Sequence, residues 1–477
     1  MSGDSTTIGE PERTRTPGED LRTALALIAC RDQPGRVGEV AFLTEACTMG
    51  RQGDVPWQRH RPGSRGLTGN LTDPRLSRAQ AKFQPVGDRI EVKNTGRARM
   101  FLNGHPTEAC QVRPGDTLRF GRGTALLCVS RPARLSMQGH STHAFGRTDA
   151  HGLVGESGAM WALRQEVNFV GPRAAHVLVL GQSGTGKELV ARALHDLSQR
   201  RRPMVSRNAA TIPESLADAE LFGNLANYPN PGMVARPGLV GEAHGSTLFL
   251  DEFGELPVAL QARLLRVLDD GEYTRLGEAR ARRVDIRLVA ATNRSPDVLK
   301  HDVLARMPLR LVLPGLGDRP EDIPLLAQHL CRRIAASDPA LASRYFEDGD
   351  PESYARLDAA LVCALVQLSW RTHVRELEAL MWHAFRTSRG DTLELWPEFP
   401  ALGLREMEPA VPSPTPGVTR APGAPPDRAT LEAAMLRHAG RQEAVWRELG
   451  LSSRHVLRRL LIKHGLLPPP PSQSSED

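Results

Sequence analysis

No apolar run in the 477-residue chain is long enough to cross a bilayer, which excludes a helical membrane span. The polar N-terminus lacks the apolar core of a secretory signal. The six cysteines, at 30, 47, 110, 128, 331 and 363, do not have the paired spacing of a metal site. Together these absences predict a cytoplasmic protein with reduced thiols and no membrane partner. Neither charge sign dominates: 61 Lys and Arg stand against 55 Asp and Glu, a net +6 that permits a nucleic-acid partner without showing one. The 40% of hydrophobic residues suit a globular protein, and the length allows about three domains.

One stretch organises the rest. Gly181, Gln182, Ser183, Gly184, Thr185, Gly186, Lys187 and Glu188 follow an apolar run at 177–180 and precede an amphipathic stripe over 188–199. Strand, glycine loop and helix is the context of a P-loop. Glycines let backbone N–H groups converge on phosphate oxygens, and the helix N-terminus adds its dipole. Lys187 can reach the outer phosphates as a point charge. Downstream, 245–250 reads as a strand delivering Asp251 and Glu252 at its end. Asp251 is placed to hold Mg²⁺ on bound ATP, and Glu252 to orient the attacking water. A third apolar strand, 286–291, ends at Asn293, whose side chain can read the terminal phosphate.

The flanks divide by composition. Residues 1–20 read as a loose polar tail. From 21 to 132 short apolar pieces alternate with Gly, Pro, Asn and Asp, which predicts a β-sandwich. Residues 133–150 read as a polar linker, 151–317 as an α/β unit and 318–397 as a set of short helices. A Pro-rich linker follows at 398–427, then three helical stripes with a helix-turn-helix pattern at 428–467, then a Pro- and Ser-rich tail at 468–477. The fold class is therefore multidomain: an N-terminal β-sandwich, a central α/β P-loop unit with a helical lid, and a C-terminal all-α helix-turn-helix.

Residues 154–384 resemble the AAA+ ATPase domain of sigma-54-dependent transcriptional activators. The likeness is carried by 182–188, 212–216 (Ile-Pro-Glu-Ser-Leu), 220–223 (Glu-Leu-Phe-Gly), 247–256, 264–268, 290–294, 318–323 (Asp-Arg-Pro-Glu-Asp-Ile) and 373–377 (His-Val-Arg-Glu-Leu). The family also carries glutamate after the P-loop lysine, as Glu188 does. The resemblance implies that Asn208 restrains the catalytic glutamate, that Arg375 of the lid contacts nucleotide, and that Lys300 and Arg306 complete a neighbour's site in a ring of about six subunits. Arg306 is the better candidate of the two, because a lysine cannot make a planar two-pronged contact. Where the family has a Gly-Ala-Phe-Thr-Gly-Ala loop that touches sigma-54, this chain has Tyr228, Pro229 and Asn230 in a proline-bearing segment. Either Tyr228 replaces the phenylalanine, or the loop serves another target.

Two flanking modules resemble known domains as well. Residues 21–132 resemble a forkhead-associated domain through the Gly-Arg and Ser-Arg pairs at 50–51 and 77–78 and the stretch 114–121. In that family the matching residues, here Arg51 and Ser77, hold a phosphothreonine. The family's histidine after Ser-Arg is Gln80 here, and the peptide-contacting asparagine is missing. The C-terminal stripes resemble a Fis-type DNA-binding domain. Arg454 and His455 are expected at base edges and Arg458, Arg459 and Lys463 at phosphates. The expected protein is an ATPase regulator of transcription that binds DNA and acts on the sigma-54 holoenzyme, with a phosphothreonine partner for its sandwich. An ATP-driven remodeller of another target, or an ATP-sensing DNA-binding scaffold that scarcely hydrolyses, are the alternatives.

Overall fold

The computed structural model describes residues 20–64, 66–136, 143–399, 431, 445 and 454–463. Two units divide the chain, Met1–Ser413 and Pro414–Asp477.

The first unit begins with short strands: Leu21–Cys30 (β1), Val40–Phe42 (β2), Cys47–Met49 (β3), Trp57–Gln58 (β4), Ala81–Val86 (β5) and Arg89–Asn94 (β6). Met100–Leu102 (β7), His105–Pro106 (β8), Ala109–Val112 (β9), Thr117–Phe120 (β10) and Thr124–Pro132 (β11) complete it. They form two sheets, ordered β4-β2-β1-β11-β10-β7-β8 and β3-β5-β6-β9. Alternation in β5 and β6 sends Ala81, Phe83, Ile90 and Val92 inward, against Leu25, Leu27, Leu118, Phe120 and Leu126 of the larger sheet. The central pair β1 and β11 departs from simple alternation. Residues 24–30 and 124–129 are buried on both faces. The outward set is the smaller one, Ala24, Ala26 and Ala125 among it, and belongs to a different core.

The expected α/β unit follows. Ser157 caps Gly158–Val170 (α1), its hydroxyl accepting from Met160 N at 3.2 Å. Then come Val177–Leu180 (β12), Lys187–Leu197 (α2), Val205–Asn208 (β13), Glu214–Phe222 (α3), Gly238–Glu242 (α4), Ser246–Asp251 (β14), Val258–Asp270 (α5), Glu272–Tyr273 (β15), Arg282–Arg283 (β16), Ile286–Thr292 (β17), His301–Ala305 (α6) and Leu309–Val312 (β18). The five-stranded sheet runs β13-β14-β17-β12-β18 with parallel pairing throughout. Its apolar strands need cover on both faces. Leu178, Leu248 and Leu288 pack to one side, and Val179, Phe249 and Val289 to the other. The chain passes from β17 across β12 to β18, so strand order reverses beside β12. The crevice above such a point is where open α/β sheets take ligands.

The lid helices are Ile323–Ala335 (α7), Pro339–Tyr345 (α8), Ala359–Gln367 (α9) and His373–Thr387 (α10). Asp338 and Asp358 cap α8 and α9 through Ala340 N (3.0 Å) and Ala360 N (2.7 Å). Residues 133–150 are not a free polar linker over their described part. Phe145 sits beneath Arg59 and Arg61, with guanidinium carbons 5.0 and 5.4 Å from the ring centroid. Asp149 pairs with Arg164 at 2.8 Å with both side chains buried. Buried charges need partners, and these fix the segment in place.

All six cysteines are free and buried, which agrees with reduced thiols; burial holds Cys30, Cys110, Cys331 and Cys363 up to about 12. Among the described residues no helix is long and apolar enough to cross a membrane.

Burial pulls His60 down to about 4, with Arg131 adding to it. The unfolded chain takes up that proton near pH 6.5, whereas the folded chain resists it until about 4. The stabilisation is present above pH 6.5 and is lost as pH falls toward 4. In a His60→Gln variant the amide oxygen can still accept from Arg131 Nε. Urea unfolding at pH 7.5 and pH 5 should show the native chain losing about 2 kcal/mol relative to that variant over this interval.

In the second unit Arg454–Lys463 is a helix (α11) with Leu457 and Leu461 buried and Arg458, Arg459 and Lys463 exposed. The side chains of Arg454 and His455, the turn before α11, the linker from residue 400 on, and both terminal tails lie outside the described residues.

Candidate nucleotide site

The C-terminal ends of β12, β14 and β17 carry three of the expected features side by side. Leu180 pairs with Thr292 and Leu250 with Ala290, so the P-loop, Asp251 and Asn293 leave the sheet at neighbouring strand ends. Gly184 and Gly186 have φ of +80° and +102°, which only glycine adopts freely. They fold the loop so that α2 starts at Lys187. The Lys187 ammonium donates to Gly181 O at 3.0 Å and Gln182 O at 3.4 Å. Thr185 Oγ1 donates to Gln182 O at 2.8 Å and tightens the turn. Glu188 stands apart from the loop. It is exposed and pairs with Arg192 one helical turn on, at 2.7 Å, as a glutamate in a first turn does for its helix alone.

Glu252 is held in the left-handed region, φ +50° and ψ +42°. A non-glycine residue costs about 1–3 kcal/mol there and persists only where the surroundings impose it. The backbone N–H of Glu252 donates to Asp251 Oδ1 at 2.9 Å. Burial pushes the Glu252 carboxyl above its ordinary value, with Asp251 and Glu255 adding to this; Lys187 and the Asn293 N–H oppose it. Asp251, a hard oxygen donor beside a phosphate-binding loop, fits Mg²⁺. Among the described residues no group of three or more His, Cys, Asp or Glu could hold a metal ion alone. A cation here therefore draws its remaining ligands from phosphate and water.

The lid closes over this edge. Val374 N donates to Gly184 O at 3.1 Å, and Arg375 Nη1 donates to Ser183 Oγ at 3.1 Å. A Cβ at Gly184 would lie 2.1 Å from Thr372 O, so only glycine allows the approach. The sequence pointed to Arg375 but gave no role to His373, which precedes it in the same motif. His373 is buried with φ +50°, its Nδ1 accepts from Leu316 N at 3.2 Å, and its Nε2 meets Gln182 Oε1. Burial lowers its pKa, which keeps the ring neutral with Nε2 as the donor.

The other expected residues lie elsewhere. Asn208 neighbours Asp251 across the sheet, but its side-chain oxygen accepts from Ala210 N at 2.9 Å and caps the following turn. Arg306 is exposed and ion-paired with Asp269 at the end of α5. Lys300 precedes α6, its backbone N–H donating to Gln261 Oε1 at 3.4 Å. The loop with Tyr228, Pro229 and Asn230 is closed by Asn224. This fully buried residue donates through Nδ2 to Leu225 O (2.9 Å), Tyr228 O (3.3 Å) and Val234 O (3.0 Å). Leu225 N and Leu276 O join it to the β15–β16 connection at 3.0 Å. The Tyr228 ring rests on Gly277, where a Cβ would lie 2.6 Å from Tyr228 Cγ. Val234, 76% exposed, is the most open apolar side chain of the loop and carried no motif that would have singled it out.

On the sandwich, Arg51 and Ser77 come together: Arg51 N donates to Ser77 O at 3.2 Å and Arg51 Nε to Leu76 O at 2.9 Å. Ser77 Oγ accepts from Arg97 N at 2.9 Å. Gln80 is buried and ties this loop down, accepting from Ser77 N at 3.0 Å and donating to Asn94 Oδ1 at 2.8 Å and Ala98 O at 2.9 Å.

Residues 153–309 match the family described as the sigma-54 interaction domain. The DNA-binding transcriptional activator HyfR of Escherichia coli is 41% identical over 254 residues, covering 51% of this chain and 36% of that one. The nitric oxide reductase transcription regulator NorR1 of Cupriavidus necator is 36% identical over 369 residues, covering 71% of this chain and 69% of that one. The transcriptional regulatory protein ZraR of Salmonella typhimurium is 34% identical over 322 residues, covering 65% and 68%. The chain thus spans little more than a third of HyfR and about two thirds of the other two.

Proposed function

The chain belongs to the family that carries the sigma-54 interaction domain, and on that premise we propose that it is a cytoplasmic, ATP-hydrolysing regulator of transcription that acts on RNA polymerase bearing sigma-54. The observation that carries this reading is the P-loop, set beside Asp251 and Glu252 and covered by His373 and Arg375 of the lid. The backbone N–H groups of 182–187 and the Lys187 ammonium take the phosphates. Asp251 would hold Mg²⁺, which would supply charge neutralisation at the phosphates. Glu252, pushed toward protonation by its surroundings, receives a proton from the water it orients. Asn293 reads the terminal phosphate, and Arg375 senses the nucleotide from the lid. Arg306, exposed just after α6, reaches the site of the next subunit in a ring of about six. Asn208 and Glu188 have supporting parts, because in this chain their side chains cap a turn and pair with Arg192; Lys300, close to Arg306 in sequence, is the second candidate for the neighbour's site.

The flanking modules complete the reading. The exposed Arg458, Arg459 and Lys463 suit DNA phosphates, and the loop holding Arg51 and Ser77 suits the phosphate of a phosphothreonine partner. One observation favours a target other than sigma-54: the aromatic ring expected at the loop tip lies back on Gly277. Transcription reconstituted with sigma-54 holoenzyme decides. The expected outcome is ATP-dependent activation that falls about tenfold or more in Tyr228→Ala, the size of effect that loss of a central aromatic contact gives. Activation confined to the main sigma factor would replace this reading with that of a remodeller of another target.

A further inference from the structure

We propose that the N-terminal sandwich is a working part of the nucleotide lid, with Arg131 as a positioning residue that sets where His373 and Arg375 stand over the P-loop. The proposal rests on the ATP-binding reading above.

The apolar seam comes first. A free-standing sandwich turns polar side chains outward from its central strands. Here the outward residues of β1 and β11, among them Ala24, Ile28, Leu127 and Val129, form one core with Leu326 and Leu330 of the lid. The lid helix α9 is buried nearly all round, Leu361, Val362, Cys363, Leu365 and Val366 included. A helix apolar on every side belongs between two layers, and the sandwich is one of them. Both ends of α9 are tied to the sandwich. Ala359 N donates to Arg122 O at 3.2 Å, and Gln367 Nε2 donates to Asn103 Oδ1 at 3.0 Å and Thr117 Oγ1 at 2.9 Å.

A buried charged cluster then joins the seam to the α/β unit. Arg131, at the end of β11, is 1% exposed; it donates to His60 Nδ1 at 3.0 Å and to Glu156 O, and lies 3.8 Å from the Glu321 carboxylate. Arg61 grips Glu156 with two bonds of 2.9 and 2.7 Å. Asp322 Oδ1 accepts from Glu156 N at 2.6 Å and Ser157 N at 2.9 Å, where α1 begins. The neighbouring Gly155 has no room for a Cβ, which would lie 2.6 Å from Asp322 Oδ2. Sandwich, α/β entry and lid therefore meet at buried charged groups, where removing one partner leaves another charge buried with less compensation.

The route from this cluster to the nucleotide is short. Asp322 leads into α7, and Leu316, six residues earlier, hands its N–H to His373, the first residue of α10 and the ring that meets Gln182. A shift of the sandwich is a shift of the lid. Whatever free energy a sandwich ligand spends on moving the seam appears equally in ATP affinity, and the reverse.

Full-length Arg131→Met and Gln367→Ala variants test this, with ATP affinity measured by calorimetry, KM and kcat by phosphate release, and backbone hydrogen exchange followed over 124–131. Both variants should lose ATP affinity by about five- to fifty-fold, as a rise in KM with kcat at saturating ATP little changed. Arg131→Lys, which keeps a cation near Glu321, should recover part of the affinity. In the unaltered chain ATP should slow exchange over 124–131, a change that a merely structural residue would not transmit. Gln367 is half-buried and tethers α9 to Asn103 and Thr117 from the edge of the core, so this variant stays folded if Arg131→Met does not. An ATP-binding native chain whose folded variants keep their affinity, with no ATP effect on exchange over 124–131, overturns the proposal alone. A native chain that binds no ATP overturns the site reading and the proposal with it.

Discussion

Lys187→Ala leaves the chain unable to hold ATP at micromolar concentrations, while Glu252→Gln still binds it and no longer turns it over. The two results differ because the two side chains act at different stages. Lys187 carries the buried positive charge of the loop, and its bonds to Gly181 O and Gln182 O keep it folded inward. A charge-assisted bond to phosphate is roughly twice as strong as a neutral one, so its loss weakens binding by about 100-fold. Glu252 contributes through proton acceptance and water placement, which lowers turnover by about a thousandfold when removed. Glutamine keeps the size of the side chain and can occupy the same left-handed backbone position, at the same cost as glutamate, so the loop and its affinity survive. Calorimetry with ATP and Mg²⁺ separates the first variant from the second, and phosphate release measures the second. Undiminished hydrolysis in both would remove the P-loop and the two carboxylates from the mechanism.

Arg306→Ala and Lys187→Ala, each inactive alone, regain ATP turnover when mixed. In one subunit Arg306 points to Asp269 and not to the P-loop. Its expected partner is the phosphate bound by the next subunit, where an arginine acting in trans contributes about a thousandfold or more. An interface in a mixed ring is complete when the Arg306→Ala chain supplies the P-loop and the Lys187→Ala chain supplies the arginine. At equal concentrations chance assembly makes about a quarter of interfaces complete, and turnover should approach that share of the native rate. Dilution should abolish the recovery, as it separates the subunits. No recovery at any mixing ratio would mean that Arg306 serves its own chain or nothing. The surface pair with Asp269 contributes little in itself, so it does not bar the arginine from leaving.

Much of the site could be read from the chain because its parts are local. An apolar run followed by three glycines and a lysine dictates strand, loop and helix within a dozen residues, and the strand and helix limits lie within two residues of those expected. Asp251 and Glu252 were found the same way, as polar residues ending an apolar strand. The left-handed backbone of Glu252 was not legible, since glutamate carries no preference for it; the neighbouring turn imposes it. Short apolar pieces within β1 and β11 were visible as parts of a β-sandwich, but not the full length of either strand. Nothing near them in sequence said what would cover their second face.

By itself the sequence determined the elements and their chemistry: which segments are strands or helices, where a phosphate-binding loop must form, and which residues carry charge at strand ends. It could do so because periodicity, glycine freedom and capping act over a few residues. Only the tertiary structure decided that His373 meets Gln182 across 191 residues, that Arg306 rests on Asp269, and that the sandwich, joined through Arg131, Glu156 and Asp322, shares a core with the lid. Such contacts follow from which apolar faces find cover and which buried ions find partners, and that is settled by the whole folded chain rather than by any stretch of it.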